Sequence, residues 1–152
     1  MTYLRVHSYD AGRIMAAAAP GDVVSLAELA TTINNAAAQT IAASAITGQV
    51  VLRQGAGVVS DVTDTAVNII QAMYGNTGSE PRVSEGFLCF FSNQSASTVT
   101  ITGGTGITVS GNTAVLTLTM KTLFFVCTNP GVKTFSAGVY TNIGATFNCI
   151  CL

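Results

Sequence analysis

The feature that most constrains the fold of this chain is a two-residue alternation in its C-terminal half, from about Gly86 onward. In Ser97–Thr102 and Ile107–Ser110, threonine or serine alternates with β-branched apolar residues. Successive side chains of a β-strand point to opposite faces, so this period predicts strands with one apolar face. The glycines at 103, 104 and 106 and the Gly111–Asn112 pair then predict hairpin turns between these strands.

The segment after Gly111 predicts two further strands. The first is expected to place Ala114, Leu116, Leu118 and Met120 on one face. The second, Leu123–Cys127, is almost wholly apolar and is expected to be buried on both faces. Four residues are predicted to lie inside the sheet structure: Val99, Leu116, Leu118 and Phe125.

The N-terminal half shows helical signals. Ser25–Glu28 forms a capping box, and the apolar spacing that follows predicts a helix to about Gln39. A short strand is predicted at Val50–Leu52, and a second helix at Ala66–Tyr74, capped by side-chain oxygens between Asp61 and Thr65 and ending at Gly75.

These elements predict a mainly β fold, an antiparallel β-sandwich or barrel (jelly-roll-like) with two short helices in the N-terminal half. Residues 1–24 show no sustained period and are expected to form an N-terminal docking arm. Residues 25–152 are expected to form a single β-rich domain with the two helices at its N-terminal side.

Charge is scarce, and it is distributed unevenly. Only 9% of the residues are charged, against about a quarter in a typical soluble domain. From Gly86 to Leu152 the only charged side chains are Lys121 and Lys133. We therefore expect much of this surface to be covered by protein partners, as in a self-associating chain.

The composition also argues against several partners. The formal net charge is −1, and six scattered cations cannot neutralise many phosphates or acidic lipids, so nucleic acid is not expected. Polar residues or glycines interrupt each apolar run before about 20 residues, so no membrane span is expected. The apolar stretch Ile14–Ala19 is too short for a signal peptide, which predicts a protein that is not secreted.

No catalytic or cofactor constellation is found in the sequence. His7 is the only histidine, and no G-x-S-x-G elbow is present, so we do not expect an enzyme; a small hydrolase would need His7 to meet a serine or cysteine. The glycines at 103–106 do not follow the phosphate-binding spacing G-x-G-x-x-G. Asn93 begins an N-x-S sequon but is interpreted as a turn residue.

The four cysteines are interpreted as reduced thiols that pack as small apolar residues. They are Cys89, Cys127, Cys149 and Cys151. A four-thiolate metal site is not expected, because Cys89 and Cys127 stand singly inside strands. The C-terminal Cys149–Leu152 formally fits a prenylation signal, but no polybasic segment precedes it, so we expect a packed strand.

The stretch from about residue 40 to 128 resembles known proteins. The residues that carry the likeness are Gly48–Gly55, Asp64–Ala66 with Ile69 and Ile70, Asn93, and Val99–Gly111. They resemble short virion decoration or minor capsid proteins of large double-stranded DNA viruses and phages, which are related to phage fibre-like modules. The resemblance implies a structural role in a virion assembled inside the host cell, with the major capsid protein as partner. It also implies a homotrimer, which matches the local three-fold axis of a trimeric capsomer.

The first function hypothesis is therefore a cement or cap subunit on a capsid, and the alternative is a receptor- or glycan-binding fibre head, for which Tyr74 and Tyr140 are candidates. Cofactors and metals are not expected. The predicted interface residues are Tyr3, Leu4, Val6 and Tyr9 of the arm, for the contact with the shell, and Val99, Ile101, Ile107 and Val109 of the threonine-rich hairpin.

Overall fold

The computed structural model describes residues 30–48, 50–74 and 82–152, and the chain is mainly β with two helices in this part. The helices are α1 (Ala43–Thr47) and α2 (Ala66–Tyr74). The strands are β1 (Thr31–Asn34), β2 (Thr40–Ile41), β3 (Val50–Gln54), β4 (Val59–Thr63), β5 (Gly86–Asn93), β6 (Val99–Thr102), β7 (Ile107–Gly111), β8 (Ala114–Val115), β9 (Thr119–Asn129), β10 (Val132–Ser136), β11 (Val139–Ile143) and β12 (Thr146–Cys151).

From β1 to β9 the chain alternates between two sheets. The odd-numbered strands enter a six-stranded sheet with the order β1-β3-β5-β9-β12-β7, and the even-numbered strands form a four-stranded sheet with the order β2-β4-β6-β8. The hairpin β10–β11 stands apart as a two-stranded sheet. The described strands do not close into a barrel.

The strand pairs β1–β2, β3–β4 and β5–β6 each contribute one strand to each sheet, and we call these three successive segments coils. The coils stack in parallel. In the six-stranded sheet, Val51 lies between Thr31 and Phe91, and in the four-stranded sheet, Val62 lies between Thr40 and Thr102. The helices α1 and α2 occupy the return segments of the first two coils. The expectation of antiparallel sheets is thus only partly right, because antiparallel pairing is confined to β5–β9, β9–β12, β6–β8 and β10–β11.

The first predicted helix is wrong over its described part. Within residues 30–39, where helix was expected, the chain forms β1, and the first described helix is α1. Thr31, Thr32 and Ile33 are β-branched, which lowers helix propensity, and they pair with β3 at the sheet edge. The capping box Ser25–Glu28 and the arm 1–24 lie outside the described residues.

The second predicted helix is confirmed as α2. Thr65 caps it, because its Oγ1 accepts a hydrogen bond from the Asn68 backbone N–H at 3.2 Å. The Asp64 carboxylate accepts from the Thr65 N–H at 2.8 Å and from the Ala43 N–H at 3.0 Å. Asp64 therefore ties the start of α2 to the start of α1. Gly75 lies outside the described residues.

The predicted hairpin between Val99 and Val109 is not formed, because β6 and β7 belong to different sheets. The glycines between them permit a close crossing of backbones: a Cβ on Gly104 would lie 2.3 Å from the Thr63 carbonyl oxygen, and one on Gly106 would lie 2.6 Å from that of Ala145. The chain therefore passes from one sheet to the other at these glycines. A period-two pattern does not distinguish such a crossing from a hairpin turn.

The predicted strand register after Gly111 is also wrong. Val115 is fully buried, whereas Leu116 and Leu118 are 58% and 78% exposed. The alternation is broken because β8 ends at Val115, a turn follows with Leu118 at φ +55°, and β9 begins in the other sheet. The continuous strand that would have placed both leucines in the core does not exist.

The core is a single cluster to which both sheets and both helices contribute. The Phe87 ring stacks on Phe125 with centroids 5.1 Å apart and meets Phe147 edge to face at 6.5 Å. Val99 and Phe125, predicted to be inside, are fully buried. The core thus fixes which face of β5, β9 and β12 points inward.

Candidate assembly surface

The central strands of the six-stranded sheet present a second, uncharged face away from the core. Alternation places Phe87, Cys89 and Phe91 in the core and turns their neighbours outward. We call the outward positions of β5, β9 and β12 the outer face, and none of them is charged. They are Gly86, Leu88, Phe90, Ser92, Met120, Thr122, Phe124, Val126, Thr128, Thr146, Asn148 and Ile150.

Apolar side chains on the outer face stand in register across the strands. Phe124 is paired with Leu88 on one side and with Ile150 on the other, so three large apolar side chains form a row across three strands. Leu88 is 42% exposed, and Met120, on the same face, is 57% exposed. Phe90, Phe124, Val126 and Ile150 are half-buried. The outer face therefore carries a row of apolar side chains across three strands, among uncharged polar residues.

A turn just before β9 also exposes apolar side chains. We call Leu116–Leu118 the leucine turn; both leucines are more than half exposed. The buried Asn93 side chain holds this turn, since its Nδ2 donates to the carbonyl oxygens of Val115 at 2.9 Å and Leu116 at 3.2 Å. A leucine at positive φ costs roughly 1–2 kcal/mol, so the fold maintains a strained turn that displays two leucines.

The four residues between Val99 and Val109 that the sequence assigned to the interface do not lie on the outer face. Val99, Ile101 and Ile107 are buried in the chain's own core, and Val109 is half-buried against it. They are core residues and not surface residues, which corrects that expectation. Tyr3, Leu4, Val6 and Tyr9 lie outside the described residues.

Sequence reasoning overlooked the outer face, although one signal was present. Leu88 and Phe90 lie between the core-facing residues Phe87, Cys89 and Phe91 and are also apolar, so β5 is apolar on both faces. The same holds for Leu123–Cys127, where Phe124 and Val126 are half-buried instead of fully buried as predicted. A two-sided apolar strand in a sheet indicates that both faces are to be covered.

A buried ion pair in the second coil also holds the first coil through hydrogen bonds. Arg53 on β3 and Asp61 on β4 are both fully buried, and Arg53 Nε lies 2.6 Å from Asp61 Oδ2. The guanidinium also donates to the carbonyl oxygens of Asn35 at 2.6 Å and Ala37 at 2.8 Å, and Asp61 accepts from the Gln39 N–H at 2.8 Å. All of these contacts lie within the protein, so the pair has a structural role.

The four cysteines are free and buried. Burial raises the pKa of Cys89 to about 12 and also raises the pKa of Cys127. The hydrogen bond between the Cys149 and Cys151 side chains raises the pKa of Cys149 and lowers that of Cys151. Cys151 is only 5% exposed, which limits its access to a substrate.

The described residues do not assemble a metal site. They contain no group of three or more histidine, cysteine, aspartate or glutamate residues that could hold a metal ion. Leu123 on β9 pairs with both Cys89 and Cys151 and so separates their strands. His7, the residue that a hydrolase would need, lies outside the described ranges.

The remaining motifs have structural roles. Asn93 is fully buried, and its Oδ1 accepts from the Ser95 N–H at 3.0 Å, which agrees with a turn residue and leaves its amide inaccessible in the folded chain. Cys149, the prenylation candidate, is fully buried in β12 between β9 and β7. The Gly104 N–H donates to Thr63 Oγ1 at 2.9 Å and is not free for a phosphate.

Comparison with known proteins gives no relative: no family model, curated protein or solved structure matches the chain. Within the described ranges, no helix has the length and apolar character needed to cross a membrane. The function is therefore inferred from the surface and the buried groups of the chain itself.

Proposed function

We propose that this chain is a structural subunit of a virion, a minor capsid or decoration protein that functions as cement or cap. The observation that carries the proposal is the outer face, where large apolar side chains are exposed on a surface without charge. Contiguous apolar patches of this kind mark sites of protein association in soluble proteins. The virion context comes from the resemblance of residues 40–128.

The distribution of polar groups favours a non-enzymatic role. The buried ion pair Arg53–Asp61 and the buried Asn93 are engaged in internal hydrogen bonds, and the cysteines are buried. A catalytic site instead needs nucleophiles, acids or bases that reach a substrate. We infer that the work of the protein is the burial of area at interfaces.

The proposed partners are the major capsid protein and further copies of this chain, most simply as a homotrimer on a local three-fold axis. We also propose that the two larger sheets pack as the layers of a sandwich, since their side chains share one core cluster. We propose that the chain is made and assembled inside the host cell and that it resides in the mature virion.

Quantitative mass spectrometry of purified particles tests the proposal. The chain is expected in particles at a fixed ratio to the major capsid protein, and that ratio is expected to persist through density-gradient repurification. A chain that is found only in the soluble fraction of infected cells, or whose amount varies between particle preparations, would overturn the structural role.

The second candidate is a receptor- or glycan-binding fibre head. It is favoured by the hairpin β10–β11, on which Val132, Phe135 and Ile143 are 60% or more exposed. In that case a Val132→Ser substitution on the hairpin is expected to reduce attachment of particles to cells while leaving the copy number of the chain per particle unchanged.

A further inference from the structure

We propose that the hairpin β10–β11 is a hinged flap that lifts off the helix α2, and that the side chain of Asn142 sets how readily it lifts. The hairpin is a two-stranded sheet of its own and belongs to neither of the larger sheets, so it can move while both of them stay intact. This flap is a property of the folded chain and does not depend on the virion role.

The hairpin is joined to the six-stranded sheet through a break in the strand ladder. The β9–β12 ladder ends at Asn129–Thr146, and on each strand two residues separate it from the hairpin ladder. These connections contain Gly131 and Gly144, with φ of +76° and +77°, and glycine changes its backbone conformation at little steric cost. Hinges are formed by a few residues of this kind, which absorb the change in φ and ψ. The two glycines therefore provide a hinge at the base of the hairpin.

The hairpin adds little to the hydrophobic core. Its main neighbour among the described elements is α2, which packs against β11. The hairpin residues whose burial is described are all absent from the core cluster, and Val132, Phe135 and Ile143 are each 60% or more exposed. Regions with few buried apolar contacts open locally at low free energy, and a two-stranded hairpin alone is marginally stable at best. We therefore expect the hairpin to open more readily than the larger sheets.

A buried amide opposes the closed position of the flap. Of the hairpin residues whose burial is described, Asn142 alone is buried; it is 4% exposed, and its Nδ2 has no hydrogen-bond partner within the described part of the chain. Because α2 packs against β11, we place this amide at the contact between the hairpin and the helix. Lifting the hairpin returns the amide to water. The unsatisfied amide is therefore expected to weaken the closed state about 5- to 150-fold, relative to an apolar residue at this position.

The other buried asparagine of the described residues shows the contrast. Asn93 is fully buried, and its Nδ2 donates to backbone carbonyl oxygens, among them that of Ser97 at 2.8 Å. The chain thus satisfies a buried amide where that amide fixes a turn. It leaves the amide of Asn142 unsatisfied at a contact that the hinge allows to open.

Residue-resolved hydrogen–deuterium exchange on the full chain tests the proposal, at one fixed protein concentration. The ladder amides of β10 and β11 are expected to exchange at least about tenfold faster than those of β9 and β12, with similar rates from the base of the hairpin to its tip. Hairpin amides that exchange as slowly as those of β9 and β12 would show that no flap opens. Fast exchange confined to the tip would indicate fraying, which also overturns the proposal.

Substitution of Asn142 gives the second measurement. Asn142→Leu keeps the branched shape of the side chain and removes the unsatisfied amide, so it is expected to slow exchange of the hairpin amides about 5- to 150-fold. The amides of β9 and β12 are expected to exchange as in the unmodified chain. Asn142→Val, with a smaller side chain than leucine, covers the case in which leucine does not fit.

The matched control is Asn148→Leu, because Asn148 is an exposed asparagine on β12. It is expected to change exchange of the hairpin amides by less than about threefold. If neither Asn142 variant slows this exchange, or if Asn148→Leu slows it equally, the amide does not control the flap and the proposal is overturned. The particle measurement judges the virion role separately.

Discussion

Replacement of Arg53 by methionine tests how the first coil is held to the rest of the fold. The guanidinium and the Asp61 carboxylate are both fully buried, with Nε and Oδ2 2.6 Å apart. Arg53→Met removes the cation and leaves a carboxylate in the core without its partner, although the Gln39 N–H still donates to it. A methionine of similar length keeps most of the apolar packing of the stem.

The magnitude follows from the unpaired charge. Two unit charges about 4 Å apart interact by about 4 kcal/mol at an effective dielectric constant near 20, and removal of one member of a buried pair typically costs about 3–5 kcal/mol. The carbonyl groups of Asn35 and Ala37 also lose their donor. Both residues are exposed, so water can replace that donor, and we keep the expected loss at about 3–5 kcal/mol.

Urea unfolding followed by circular dichroism measures this loss, at one fixed protein concentration because association adds to stability. The control is Arg82→Met: Arg82 is exposed, so a change below about 0.5 kcal/mol is expected. The double variant Arg53→Met/Asp61→Asn is expected to lose less than Arg53→Met alone, because no unpaired charge remains. A loss below about 1 kcal/mol for Arg53→Met, or a double variant that is the less stable, would refute the reasoning.

Three further predictions follow from the described residues. Phe125→Ala is expected to lower the free energy of unfolding by about 3–5 kcal/mol, and Leu118→Gly is expected to change it by less than about 1 kcal/mol. If urea titrations give similar losses for the two variants, Leu118 is buried in the core and not exposed. Burial raises the pKa of Asp64, but hydrogen bonds from Asn68, Ala43 and Thr65 outweigh it and hold that pKa below its usual 3.8. The unmodified chain is therefore expected to be more stable than Asp64→Asn at pH values above 3.8, and this difference in stability is expected to disappear as the pH falls through the lower pKa of the folded chain. A difference in urea midpoints that does not change with pH would contradict this. A thiol reagent is expected to label the native chain slowly. Cys151 is expected to react first, because its pKa is lowered to about 7. Rapid labelling of all four cysteines without denaturant would show that they are not buried.

Local chemistry allowed part of the fold to be predicted. The α2 boundaries and its Thr65 cap follow from side-chain oxygens next to an apolar helical segment, and the strands β6 and β7 follow from period-two alternation. These signals act within a few residues and survive in any tertiary context that keeps the element. The burial of Val99 follows from the same alternation, and that of Phe125 follows from the apolar run Leu123–Cys127.

The pairing of strands could not be read from the same patterns. A glycine-rich connection between two alternating segments fits a hairpin as well as a crossing between sheets, and the choice here depends on contacts with residues such as Thr63 and Ala145, far away in sequence. The helix expected before Gln39 failed for a related reason, because β1 gains its partner from β3. The outer face was missed because the apolar run Leu123–Cys127 was expected to be buried on both faces, whereas its outward residues Phe124 and Val126 are only half-buried.

Sedimentation equilibrium of the unmodified chain across a dilution series tests most directly whether this protein works by packing against protein subunits. For a homotrimer we expect a mass of three times 15.6 kDa at micromolar concentration, with a midpoint of urea unfolding that rises with protein concentration. A single species of 15.6 kDa over the whole series, with a concentration-independent midpoint, would contradict it.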